Sequence, residues 1–105
     1  YKPTHAGVED LFFAKNVTTA VKVGQARGVI LLTLRQARIP IYEFTPLQVK
    51  QSVTGYGRAE KGQLQRMVKI ILNVKKPITP DDAADALAVA LTCGASMKII
   101  HRAHR

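Results

Sequence analysis

The chain has no tryptophan, one cysteine and few aromatic residues, 6% of its 105 positions. A single thiol, Cys93, cannot close an intrachain disulfide, which suits a reducing cytosol rather than a secreted scaffold. No apolar run approaches the roughly 20 residues that cross a bilayer. The longest, Gly28 to Leu34 and Ala86 to Ala95, exclude a membrane-spanning reading. No charged start followed by an apolar stretch marks a secretory leader. Tyr1-Lys2-Pro3 is neither an initiator methionine nor a typical processed start, so the chain reads as a fragment. Acids are scarce too: 7 Asp and Glu face 16 Lys and Arg, a formal charge of +9. What is present is 47% hydrophobic residues with 22% charged, enough for one core and incompatible with a disordered basic tail.

A surplus of +9 favours a polyanionic partner, because phosphates attract Lys and Arg and release their counterions on binding. The cations concentrate between Gln48 and Lys76, where Lys50, Arg58, Lys61, Arg66, Lys69, Lys75 and Lys76 face the single acid Glu60. Five of the seven carboxylates fall in two groups, Glu9-Asp10 and Asp81-Asp82 with Asp85, leaving Glu43 and Glu60 isolated. Acids gathered on a polyanion-binding protein repel its ligand unless a cation stands between, and a metal ion is the obvious one. Helix capping is the alternative: Thr79-Pro80-Asp81-Asp82 reads as an N-cap, a first-turn proline and acids facing the helix dipole. Asp85 fits capping less well. It lies three residues after Asp82 on the same helix face, where two like charges repel.

Residues His5 to Phe13 read as a buried strand with Glu9 towards its end. From Asn16 to Ala37 the spacing of Ala20, Val21, Gly24, Gly28, Leu31, Leu32 and Arg35 predicts a long helix. Gly24 and Gly28, four apart, leave a flat strip that either the chain's own sheet or a second copy can approach, and periodicity alone favours the sheet. Pro40 ends that helix, and Ile39 to Phe44 reads as a second strand, parallel to the first through a right-handed crossover. Helices are predicted over Pro46 to Val53, Gly62 to Val74 and Pro80 to Cys93, the last with an apolar face of Ala84, Leu87, Ala88 and Leu91. Two strands make a poor sheet, so further strands are expected before Tyr1.

Five ordered blocks then resemble one family, the RuvC Holliday-junction resolvases. They are Glu9 with Phe12 and Ala14-Lys15-Asn16; Gly24-Gln25-Ala26-Arg27-Gly28; Gln48-Val49-Lys50-Gln51; Thr54-Gly55-Tyr56-Gly57-Arg58-Ala59-Glu60-Lys61-Gly62-Gln63; and Asp82-Ala83-Ala84-Asp85-Ala86-Leu87-Ala88. The resemblance implies an α/β, ribonuclease H-like fold, a mixed sheet flanked by helices and here truncated at the N-terminus. It covers residues 1–92 as a partial resolvase domain and leaves 93–105 as a basic tail. The implied activity is an endonuclease that binds four-way DNA junctions as a homodimer and nicks two strands symmetrically with two Mg²⁺ ions, or Mn²⁺, per site. Glu9, Asp82 and Asp85 match three of the family's four metal-binding acids; the fourth belongs to a strand this sequence lacks. Lys50 and Lys61 match lysines near the scissile phosphate, Arg58 is a further phosphate contact, and Phe12 matches an aromatic at the junction centre. The Gly24 to Gly28 helix resembles the dimer-forming helix, which shifts that strip towards a second copy. A branch-migration motor is a further implied partner.

The chemistry agrees with the residues. A two-ion phosphodiesterase needs a cluster of hard oxygen ligands and no protein nucleophile, so the lack of a Ser-His or Cys-His arrangement is unremarked by it. Cys93 lies on an apolar helix face and reads as packing. His101 and His104 have no acid or thiolate beside them, and hard-cation sites avoid imidazole, so they belong to the basic tail. Two rivals stand beside the resolvase: a non-catalytic nucleic-acid-binding module, and a nuclease of the same fold acting on a flap or linear duplex.

Overall fold

Two short strands share one register. β1 (Ala6–Glu9) pairs in parallel with β2 (Ile41–Phe44), Ala6 opposite Ile41 and Glu9 opposite Phe44. Between them runs α1 (Val17–Gln36), and α2 (Pro46–Thr54), α3 (Lys61–Ile71) and α4 (Asp81–Ala103) follow. The computed structural model describes the backbone of residues 1–10 and 17–103. Among these, the sheet has two strands, with Ala6 N–H to Pro40 O at 2.9 Å and Asp10 N–H to Phe44 O at 2.7 Å extending the ladder at both ends.

The side chains of β1 alternate between two helices, as the two-residue period of a strand requires. Val8 faces α1 across a small apolar cleft lined by Val23, Ala26 and Ile30. Gly7 faces α4. A Cβ on Gly7 would stand 3.0 Å from Cys93 Cβ and 3.2 Å from Val89 Cγ1, so only glycine lets α4 lie this close to the strand. The rest of α4 packs on α2 and α3. Val49, Val53, Leu64, Val68, Ala88 and Val89 form the core there, flanked by Phe44, Met67 and Ile78.

Local chemistry sets the helix ends. Thr45 caps α2 by accepting from Gln48 N–H at 3.2 Å, while Gln48 Oε1 accepts from Thr45 N–H at 2.8 Å, a reciprocal capping box. Gly55, at φ 76°, closes the helix in the left-handed conformation that glycine tolerates. Glu60, one of the two isolated acids, stands at the N-cap of α3, and its N–H donates to Gln63 Oε1 at 2.9 Å.

Several expectations differ from the structure. The first strand begins at Ala6 rather than His5 and is half-buried rather than buried, and the second begins at Ile41, because Pro40, which lacks an N–H, can only accept at the ladder's start. The helix α3 stops at Ile71, short of Val74, because Asn73 turns to φ 54° and Val74 N–H closes back on Lys69 O. In contrast α4 runs ten residues past its expected end at Cys93, straight through Gly94, and begins at Asp81, so Pro80 rather than Thr79 precedes the first helical residue. The strip on α1 does not pack on its own sheet: among the described residues, and apart from the helix's own backbone, nothing lies within 4 Å of a Cβ built at Gly24 or Gly28, and Val21 and Leu32 beside them are exposed. No helix among the described residues is long and apolar enough to cross a membrane.

Candidate active site

Glu9 and Gly7 are two apart on β1 and so face the same helix. On α4 the residues Asp85, Val89 and Cys93 recur every four positions and form one stripe. With Val89 and Cys93 seated over Gly7, the next turn of the helix brings Asp85 beside Glu9 at the strand end. Both carboxylates line an open cleft of about 420 Å³, floored by Val49 and Leu64 of the core. Two cations complete it: Lys50 from α2 and Lys61 from the first turn of α3.

The electrostatics follow from that placement. Burial pushes the Glu9 carboxyl above its ordinary range, the Asp85 charge raises it further, and Lys50 acts in the opposite sense. Two acids held close enough to repel, with lysines on the opposite wall, can bind a cation on one side and a phosphate on the other. The capping box of α2 and that of α3 fix the helices carrying these lysines. The Lys61 ammonium sits 3.6 Å from the Asp81 carboxylate, both side chains mostly exposed. Such a pair is worth little, and Lys61 can exchange it for a phosphate at small cost.

Arg27 of α1, inside the Gly24 to Gly28 block, was not singled out by its sequence context. Its guanidinium donates to the Glu9 carbonyl oxygen at 3.2 Å and to Glu43 Oε2 at 2.5 Å, and Asp10 lies at 3.9 Å. One planar fork thereby ties α1 to the ends of both strands. Glu43 is therefore paired with Arg27 in the fold. The sequence signal was there: an arginine among small and apolar residues on a helix, and a lone acid within a strand.

The remaining candidates are distributed as follows. Asp82 is exposed, one turn before Asp85, and does not line the cleft. Arg58 is exposed in the loop after α2, whose start is fastened by Tyr56 N–H donating to Thr54 Oγ1 at 3.1 Å. Phe12 lies outside the described residues, as does His104. Cys93 is buried, 7% exposed, and burial pushes its thiol pKa up, as expected of a packing residue. Among the described residues no group of three or more His, Cys, Asp or Glu comes together as a metal cluster. Two carboxylates suffice for Mg²⁺, which is typically held by one or two acids with water and phosphate oxygens filling its remaining positions. The Glu9–Asp85 pair fits that ion.

Comparison with known proteins gives the family. The sequence model of the family Crossover junction endodeoxyribonuclease RuvC matches residues 1–93. The RuvC protein of Petrotoga mobilis is 64% identical over 94 residues, 90% of this chain and 58% of the relative; that of Halothermothrix orenii is 61% identical over 99 residues, 94% and 60%. The Thermus thermophilus RuvC structure superposes with a TM-score of 0.84 at 39% identity, covering 93% of this chain and 59% of that one. T. thermophilus RuvC in complex with a Holliday junction substrate gives a TM-score of 0.83 at 41% identity, covering 88% and 56%. The chain thus spans less than two thirds of the length of these relatives. With the family model matching residues 1–93 of 105, the chain belongs to the RuvC family of crossover junction endodeoxyribonucleases.

Proposed function

We propose that the protein resolves four-way DNA junctions by metal-dependent nicking. One observation carries the reading: Glu9 and Asp85 share a single cleft with Lys50 and Lys61. In this reading Glu9 and Asp85 hold Mg²⁺, with Asp82, one turn away, joining as a third carboxylate. A bound divalent ion supplies Lewis acidity and a water acidified towards neutral pH. Lys50 and Lys61 take the charge of the scissile phosphate and hold it against the carboxylates. Val49 and Leu64 line the cleft floor and limit access of bulk water to the phosphate. Arg58 adds a phosphate contact from its loop, and Phe12 stacks on an unpaired base. Two ions per site, with Mn²⁺ able to replace Mg²⁺, complete the proposal.

The reading includes a homodimer. The open strip at Gly24 and Gly28 on α1, bordered by exposed Val21 and Leu32, supports a contact with a second copy, which would set two sites at the separation of the two nicked strands. A cytosolic location and association with a branch-migration motor belong to the same reading. The test is cleavage of an end-labelled four-way junction by the full-length protein, in competition with linear duplex. Symmetric nicks in the junction, spared by excess duplex, support resolution; equal cutting of both makes the protein a nuclease of broader substrate range.

A further inference from the structure

The proposed site uses three of the seven cations between Gln48 and Lys76 and leaves Arg66, Lys69, Lys75 and Lys76 without a task. Arg66 and Lys69 line a second cleft, about 330 Å³, between α3 and the segment of residues 77–79 that leads into α4. It shares no lining residue with the Glu9–Asp85 cleft. The Lys61–Asp81 pair stands between the two, Lys61 lining the first and Asp81 the second.

Three features give this cleft a demand for negatively charged oxygen. Gly62 has no side chain, and the Arg66 Nη1 lies 3.5 Å from where its Cβ would be, so the guanidinium folds back along the first turn of α3 on the cleft side. Lys69, three residues on, shares that face. Gln65, just before Arg66, also lines the cleft; its Nε2, out of reach of water, has no hydrogen-bond partner among the described residues. Buried donors are nearly always satisfied, and a ligand oxygen in the cleft would supply the acceptor once the amide turns towards it. Two cations and an unmet N–H donor all call for the same ligand. The acid on the rim, Asp81, is 65% exposed and is engaged with Lys61.

We propose that this cleft binds a backbone phosphate of nucleic acid, a second anchor away from the scissile phosphate; the proposal rests on the DNA-binding part of the function above. A polymer is favoured over a free anion because the cations do not end at the cleft: Lys75 and Lys76 continue the positive rim immediately before Pro77. A phosphodiester chain can follow such a rim, and a single phosphate gains nothing from it. The anchor would hold a duplex arm while Lys50 and Lys61 engage the strand to be cut.

The test measures binding of a labelled junction and a labelled linear duplex to the full-length protein in chelator, over a range of salt. The variants are Arg66→Gln/Lys69→Gln, Arg35→Gln/Arg38→Gln, which removes equal charge at the end of α1 away from both clefts, and Gln65→Met. The cleft variant should lose about tenfold in affinity for both DNAs, with the slope of log K against log salt flattened by about 1 to 2. The distant variant should lose no more than about twofold, and Gln65→Met should weaken binding about threefold with the slope unchanged, since it removes a donor and no charge. Gln65→Glu, which keeps the shape and adds a carboxylate, should weaken it more than Gln65→Met. Equal losses in the two double variants would reduce the effect to net charge and overturn the site. So would inorganic phosphate stabilising the wild type through Arg66 and Lys69 while DNA binding is indifferent to them. Equal affinity for junction and duplex would defeat junction selectivity and leave the anchor standing, because both DNAs carry the same phosphates.

Discussion

The Arg27 guanidinium donates to the backbone carbonyl of Glu9 at 3.2 Å, so the helix between the strands pins the strand end that carries the first candidate metal ligand. The same fork holds Glu43 on β2. Arg27→Ala releases both contacts together, and a loss of about 1 to 2 kcal/mol is expected in urea denaturation, the range for hydrogen bonds to a charged donor. Arg27→Lys should recover part of it, because a single ammonium can meet Glu43 or the Glu9 carbonyl but not both as a planar fork does. A loss equally large in Arg27→Lys and Arg27→Ala would assign the whole effect to the fork geometry; no loss in either would remove Arg27 from the account.

Packing at Gly7 makes a second prediction. Gly7→Ala places a methyl 3.0 Å from Cys93 Cβ and 3.2 Å from Val89 Cγ1, neither of which is the end of a long flexible chain. Either α4 or β1 must shift, at about 1 to 3 kcal/mol for overpacking. Since the same stripe of α4 presents Asp85 to Glu9, cleavage should fall further than stability accounts for, which comparison of melting temperature with the nicking rate would reveal.

Much of this arrangement was legible in the chain. The strand, helix and strand with Pro40 as punctuation, and the short helix from Pro46, follow from turn chemistry and spacing, while the Thr45 cap of that helix came from the structure. Asp85 stood out as an acid that capping does not explain, and it is the one that meets Glu9. What escaped is non-local. Gly94 resembles a terminator, yet a single glycine costs a helix only about 1 kcal/mol relative to alanine. The Ser96 hydroxyl donating to Thr92 O at 2.9 Å lies just beyond it in the continuing turn. Periodicity told that α1 has an apolar strip but not what covers it, because periodicity is identical for a face buried within a chain and one left open. Arg27 with Glu43, and the Arg66 and Lys69 face of α3 with residues 77–79, are juxtapositions across elements that no spacing within one element encodes.

The Glu9 carboxyl has a measurable consequence for pH. Its pKa is raised in the folded chain, first by burial and then by the Asp85 charge. The folded state therefore holds a proton that the unfolded chain has released once pH exceeds the ordinary value of 4.5, and stability falls as pH rises through the interval between the two. Glu9→Gln removes that penalty. In chelator it should melt at a higher temperature than wild type at pH 7 and show no such gain at pH 4, where the wild-type carboxyl is protonated in both states. An equal gain at both pH values would trace the effect to something other than ionisation.

Cys93 offers a probe of how firmly α4 is seated. The thiol is buried against Gly7, and burial raises its pKa, which suppresses the reactive thiolate. Labelling by a thiol reagent should be at least about a hundredfold slower in the native protein than in denaturant, and should accelerate in Gly7→Ala if that substitution lifts the helix. Labelling as fast as in the unfolded chain would show that α4 leaves the sheet freely.

In the proposed function Glu9 and Asp85 form one metal-dependent nicking centre. Its most direct measurement is cleavage of an end-labelled four-way junction by the full-length protein and by its Glu9→Gln and Asp85→Asn variants, each with Mg²⁺ and with chelator, beside junction binding in chelator. Paired nicks that require Mg²⁺ in the wild type, and that fall at least about a hundredfold in each variant while binding is retained, are the predicted result. Nicking that survives either substitution at the wild-type rate would contradict it.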